Sequence, residues 1–348
     1  MKIKQTIIHI SVHYLIFVGV IFAVATLKTP TPTPAITGPV PVIEFEHPSA
    51  SPSPHTRTLA HAQQKSSFSA YSSEATTHSF EQISESIQKE YVYHMLSAPN
   101  DPSYTNDWTL TKVNAPPAWA VTTGNNQTIV AVIDSGFGLD HEDLINQWAT
   151  NSGETGMTQP GNRCWIGTSV AKQSNNCDDD NNGYVDDWRG WNFVLNDNNP
   201  QTGRVNSAGA GVRHGTEVAG LVGATGNNNV GIVGINWNAK IMPLAVLDDN
   251  GTGYTSSVTA AIYYAVDNGA QVINLSLGAY ADDPALKVAI NYAIVHNVVV
   301  IAAAGNCGDN TIPDCSGVPI GTVAYPAAYP DVIAVGASMN TDQVAPFS

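Results

Sequence analysis

Thr128-Ile129-Val130-Ala131-Val132-Ile133-Asp134-Ser135-Gly136 is an apolar run that ends in a carboxylate and a turn. A continuous run rich in β-branched residues and bounded by glycine reads as a strand buried on both faces, as in parallel sheets. Asp134 then stands at the carboxyl end of that strand, where open α/β sheets hold their ligands. The pattern recurs downstream, where Val298 to Ala304 is a second run and ends in Gly305-Asn306. Between the two, Ala239 to Leu247 and Ala270 to Leu277 read as strands, and Ser256 to Asn268 and Pro284 to His296 as helices. Alternation at this spacing implies βα crossovers and a mainly parallel central sheet with helices on both faces, a three-layer α/β fold.

Arg213-His214-Gly215-Thr216-Glu217-Val218-Ala219-Gly220 places an imidazole at the start of a closely packed helix. A lone histidine is more often a core or surface residue than a catalyst. Asp134, His214 and Asn306, each beside glycine at the end of an element, form a set. On these residues the chain resembles the subtilisin-like serine peptidases (subtilases), whose three boxes are similar to Ile133-Asp134-Ser135-Gly136, His214-Gly215-Thr216 and Ala303-Ala304-Gly305-Asn306. The resemblance covers residues 97 to 348. It implies a subtilisin-like fold and a serine endopeptidase acting on extended polypeptides, with Asp134 orienting His214 as base and Asn306 donating to the oxyanion. It also implies that Gly251-Thr252-Gly253 and Ser276-Leu277-Gly278 are the two edges that pair with a substrate main chain, although each alone reads as a loop glycine.

The family's nucleophile box, Gly-Thr-Ser-Met-Ala-x-Pro, does not occur in this sequence. Gly167-Thr168-Ser169 repeats its first three letters but lies between the Asp and His boxes and continues Val170-Ala171-Lys172, and Ser348 has no glycine-threonine lead-in. The expectation is therefore a peptidase domain cut short before its serine and inactive as it stands. The competing expectation is an exported, calcium-binding pseudoenzyme or peptide-binding fragment; intact Asp134, His214 and Asn306 favour the first. Glu217 stands where the family usually has the second histidine of His-Gly-Thr-His-Val-Ala-Gly. Two readings stand: its carboxylate raises the pKa of the base, or the change is neutral packing.

Asp178-Asp179-Asp180-Asn181-Asn182-Gly183-Tyr184-Val185-Asp186-Asp187 sets oxygen side chains at alternate positions before a turn glycine. Such a loop wraps a hard cation, because clustered carboxylates repel unless neutralised. Asp178, Asp180, Asn182, Asp186 and Asp187 are the expected ligands of a structural calcium, against the alternative of a solvated acidic turn. Similar loops occur in some subtilases, which also often place a calcium where Asp143 and the Asn228 loop lie here, against the equal alternative of an ordinary Asn-rich turn. No organic cofactor is expected: Gly223-Ala224-Thr225-Gly226 follows a helix, whereas a dinucleotide fingerprint follows a strand. His141-Glu142 is no metallopeptidase motif, because Ile145 occupies the place of the second histidine.

A formal net charge of -15 disfavours nucleic acid and anionic membrane as partners and suits cations; a monomer is expected. The four cysteines fall into two close pairs, Cys164 with Cys177 and Cys307 with Cys315, and the favoured reading is two disulfides. Four cysteines allow three connectivities, and a zinc site is the weaker alternative. Lys2 and Lys4 precede an apolar run from Thr6 to Leu27, with Ala23-Val24-Ala25 as a small-residue cleavage pattern. Residues 1–27 thus read as a signal peptide or as an uncleaved membrane anchor, and both place the peptidase part outside the cytoplasm. Residues 28–59 read as a Pro/Ser/Thr-rich linker, 60–96 as a short propeptide-like segment, and 97–348 as the peptidase domain.

Overall fold

The run that begins at Thr128 becomes β1 (Ile129–Asp134), and every residue from Val130 to Asp134 is buried. In a computed structural model the described residues are 98–204, 206–209, 211–309 and 315–348. The expected signal or anchor, linker and propeptide-like segment lie outside the described residues. To either side of β1 stand β2 (Trp191–Asn192), β3 (Lys240–Ala245), β4 (Val272–Leu275), β5 (Val299–Ala303) and β6 (Ile333–Val335), in the order β2-β3-β1-β4-β5-β6. Each adjacent pair is parallel.

Alternation of side chains along β1 makes the three layers. Ala131 and Ile133 join Leu244, Ile273 and Leu275 against α4 (Thr255–Asp267) and α5 (Pro284–Val295). Val130 and Val132 face the other way, onto Val218, Leu221 and Val222 of α3 (His214–Gly223). Two shorter helices, α1 (Trp108–Lys112) and α2 (Ala115–Trp119), precede the sheet; the Asp107 carboxylate caps α1 through the Thr109 N–H. Neither helix nor the two-residue β2 was expected from periodicity, because such short elements hold less than two turns or one repeat of pattern.

The strands are shorter than their apolar runs, for reasons that matter to the site. Ala270 spends its N–H on the Ala265 carbonyl at the end of α4, so β4 opens at Val272. Beyond Leu275, Ser276 to Gly278 leave the ladder and line a cleft. Because β1 lies between β3 and β4, the chain builds one side of the sheet and then the other, and the carboxyl ends of β1, β3, β4 and β5 share one edge. That switch point is where such sheets bind ligands. Both disulfides join the pairs read from sequence, Cys164 to Cys177 in the loop after β1 and Cys307 to Cys315 after β5. Among the described residues no helix is long and apolar enough to cross a membrane.

Full burial of β1 sets the first expectation. Ile133→Ala should lower the unfolding free energy by about 2 to 5 kcal/mol in guanidinium titrations. A loss below about 1 kcal/mol would show that β1 is not the packed centre of the sheet.

Candidate active site

Asp134 ends β1 with no exposed surface, and His214 opens α3. The His214 Nδ1 lies 2.7 Å from Asp134 Oδ1. Contact this close requires the first turn of α3 to sit on the loop after β1. A Cβ on Gly215 would stand 2.4 Å from the Gly136 carbonyl oxygen, so only glycine permits the approach. Thr216 adds a tie, its hydroxyl accepting the Gly138 N–H at 2.7 Å. Ser135 completes the bracket: its hydroxyl donates to the Gly211 carbonyl and accepts the Gly215 N–H at 3.3 Å. The His-Gly-Thr and Asp-Ser-Gly boxes are thus two halves of one packing unit.

The negative charge of Asp134 raises the His214 pKa above its usual value; burial opposes the rise, the hydrogen bond to Asp134 reinforces it, and the charge of Glu217 adds least. The partial positive charge at the start of α3 also disfavours protonation, so a neighbouring carboxylate is needed to stabilise the imidazolium. Glu217 lies 3.9 Å from Arg213, which shares its charge. Of the two sequence readings of Glu217, a charge effect that raises the His214 pKa is present, and it is smaller than that of Asp134.

His214 opens onto a cleft of about 490 Å³ whose walls include Gly251, Thr252 and Gly253 beyond β3 and Ser276, Leu277 and Gly278 beyond β4. All six residues expected at the substrate edges therefore share one groove with His214. Asn306 lies on the exposed turn after β5, and its N–H donates to the Tyr280 hydroxyl at 2.9 Å. Ser169 is elsewhere, donating to the Thr158 carbonyl in the long loop after β1. The Ser348 hydroxyl accepts the Ala337 N–H. Neither serine lines the cleft.

The acidic loop brings two of its expected ligands, Asp178 and Asp180, together with Glu154, which the sequence reading did not single out. Carboxylate oxygens of Asp178, Asp180 and Glu154 lie within 4.8 Å of one another. Glu154 is fully buried, one of its oxygens has no hydrogen-bond partner, and burial pushes its pKa up to about 7. An all-oxygen set with an orphaned buried carboxylate fits a hard cation such as calcium. Asp186 instead accepts the Asn175 and Asn176 N–H groups. Asp187 accepts from the Tyr264 hydroxyl at 2.6 Å and from Asn182 and Asn151 amides. The Asn182 side-chain amide oxygen, Oδ1, accepts the Tyr184 N–H, so these three residues shape the loop.

At the second expected position, Asp143 and Asn228 do meet: the Asn228 amide donates to Asp143 at 2.8 Å, and the Ile232 N–H donates to the other oxygen. Asp101, which sequence reading did not single out, joins them. It is buried, has one unpartnered oxygen, and its charge adds to the burial that raises the Asp143 pKa. Glu154 and Asp101 carry no motif of their own, and only the folded contacts mark them.

Residues 125–348 match the family model described as "Subtilase family". Thermitase of Thermoactinomyces vulgaris is 34% identical over 251 residues, 72% of this chain and 69% of thermitase. The thermophilic serine proteinase of Bacillus sp. (strain AK1) is 34% identical over 265 residues, 76% of this chain and 52% of that protein. The halolysin-like extracellular serine protease Nep of Natrialba magadii is 30% identical over 256 residues, 74% of this chain but 38% of Nep. This chain therefore spans about half or less of the length of the last two. Fold, boxes and matches together define the class: the chain belongs to the subtilase family of serine peptidases.

Since Asp134 dominates the shift at His214, Asp134→Asn should lower the imidazole pKa observed by NMR titration, and Glu217→Gln should lower it less. In a pH-rate profile the same change moves the acidic limb to lower pH, because the base is free of its proton earlier. An unmoved His214 titration in Asp134→Asn would refute the electrostatic pairing.

Proposed function

We propose that the protein is an exported serine endopeptidase that hydrolyses extended polypeptides. The observation that carries this reading is the 2.7 Å Asp134–His214 contact at a groove walled by both expected substrate edges. The nucleophile on this reading is a serine of the family's Gly-Thr-Ser-Met-Ala-x-Pro box, a sequence that the 348 residues do not contain. His214 Nε2 takes the serine proton as the oxygen attacks the peptide carbonyl; Asp134 holds the Nδ1 tautomer and stabilises the imidazolium. His214 then returns the proton to the leaving amine as the C–N bond breaks, and water repeats the sequence on the acyl-enzyme. Asn306 donates its side-chain amide to the oxyanion, a contribution of about 2.7 to 4 kcal/mol for the equivalent donor in subtilisin.

Substrate specificity on this reading comes from pockets beside the two edges, while the edges bind main chain as added strands. Export is supported by the two disulfides, which form and persist in oxidising compartments, and by the extracellular relative Nep. Calcium is a structural cofactor held by Glu154, Asp178 and Asp180, with Asp101 and Asp143 as a second position. When bound, it would neutralise the buried Glu154 carboxylate, one oxygen of which has no partner, together with Asp178 and Asp180.

The direct test is hydrolysis of a peptide p-nitroanilide by the full-length protein. His214→Ala should lower kcat by about a million-fold, as the loss of the base does in subtilisin. Peptide binding without turnover in the unaltered protein would instead support a binding module that lacks catalysis. For calcium, adding the ion to chelator-treated protein at about 100 to 1,000 times its Kd should stabilise the fold by about 2.7 to 4 kcal/mol. Glu154→Gln should remove most of that gain, and a thermal midpoint indifferent to calcium would contradict the assignment.

A further inference from the structure

Tyr280 is half-buried at the end of the segment that runs from the substrate edge Ser276–Gly278, and its hydroxyl reaches across to the turn after β5. It accepts the Asn306 N–H at 2.9 Å. Gly305, at φ +106°, packs against the same hydroxyl: a Cβ there would lie 2.6 Å from it. The turn is pinned on both sides as well, by the Ala304 N–H on the Val335 carbonyl and the Gly308 N–H on the Phe347 carbonyl. Next to Tyr280, Ala279 exchanges both main-chain hydrogen bonds with Tyr325, and the Ala324 N–H donates to Ala304. One substrate edge and the Asn306 turn are thereby tied into a single rigid unit, with the Tyr280 hydroxyl as the tie made to Asn306 itself.

We propose that Tyr280 is a positioning residue that sets the Asn306 turn relative to the Ser276–Gly278 edge, so that a peptide bound on that edge presents its carbonyl to the Asn306 amide. The proposal rests on reading Asn306 as the oxyanion donor. Tyr280 touches no reacting atom; it acts through Asn306. An oxyanion donor is effective only when held in place before charge develops, and a displaced donor weakens the transition state more than substrate binding. The hydroxyl group, and not the ring, makes the contact, so Tyr280→Phe removes the tie and keeps the packing.

The experiment is a double-mutant cycle in the full-length protein on a peptide p-nitroanilide, comparing Tyr280→Phe, Asn306→Ala and the double variant for kcat, KM and thermal midpoint. Loss of one hydrogen bond predicts that Tyr280→Phe lowers kcat by about two- to tenfold. KM and the thermal midpoint should hold, and in the Asn306→Ala background the second change should have no further effect on kcat. Equal kcat losses in both backgrounds, a loss confined to KM, or no loss at all would overturn the positioning role while leaving Asn306 in place. Asn306→Ala with unchanged kcat would remove the oxyanion reading and the role of Tyr280 with it.

Discussion

The carboxylate of Asp134 can meet the imidazole of His214 only because the first turn of α3 lies against the loop after β1, and that approach is a matter of missing atoms. Gly215 leaves the space that a Cβ would take from the Gly136 carbonyl. The hydroxyls of Ser135 and Thr216 then satisfy main-chain groups that the approach would otherwise bury unpaired. The buried run of β1 fixes one partner, the apolar face of α3 fixes the other, and the sheet between the two helix layers keeps them in register. The chemistry proposed for the groove depends on this packing before it depends on any charge.

Charge comes next, and it pulls in two directions. At His214 a buried carboxylate stabilises the protonated imidazole and raises its pKa. At Glu154 and Asp101 buried carboxylates each keep one oxygen without a hydrogen-bond partner, and burial raises the pKa of Glu154 and Asp143. A chain with a formal charge of -15 thus gathers acid groups in two loops, an arrangement that a divalent cation would stabilise. In one of them the Cys164–Cys177 disulfide holds the loop closed beside Asp178.

Much of this was legible in the sequence, and the exceptions share a cause. Apolar runs ending in Asp134 and Gly305-Asn306 announced parallel strands and the edge at which they end, because burial on both faces leaves a continuous signature. Both cysteine pairs were read from their close spacing, whereas the segments Gly251–Gly253 and Ser276–Gly278, which share the cleft with His214, were implied by the subtilase resemblance. Glu154, Asp101 and Tyr280 were not found, since each acts through a partner distant in sequence and has no local pattern. Asp186 and Asn182, expected ligands by alternation, accept main-chain N–H groups of Asn175, Asn176 and Tyr184. Alternation reports side-chain direction along a strand, and a loop with residues at positive φ such as Asn181 and Asp186 does not preserve it.

The proposed activation of a serine by His214, oriented by Asp134, is the step on which the peptidase reading turns. Its most direct test is to label the full-length protein with a fluorophosphonate and locate the adduct by peptide mass mapping. The account predicts one labelled residue, a serine in a Gly-Thr-Ser-Met-Ala-x-Pro sequence, with labelling lost in His214→Ala. An adduct on Ser169, Ser348 or any other residue of the chain described here, or labelling that survives the loss of His214, would contradict it.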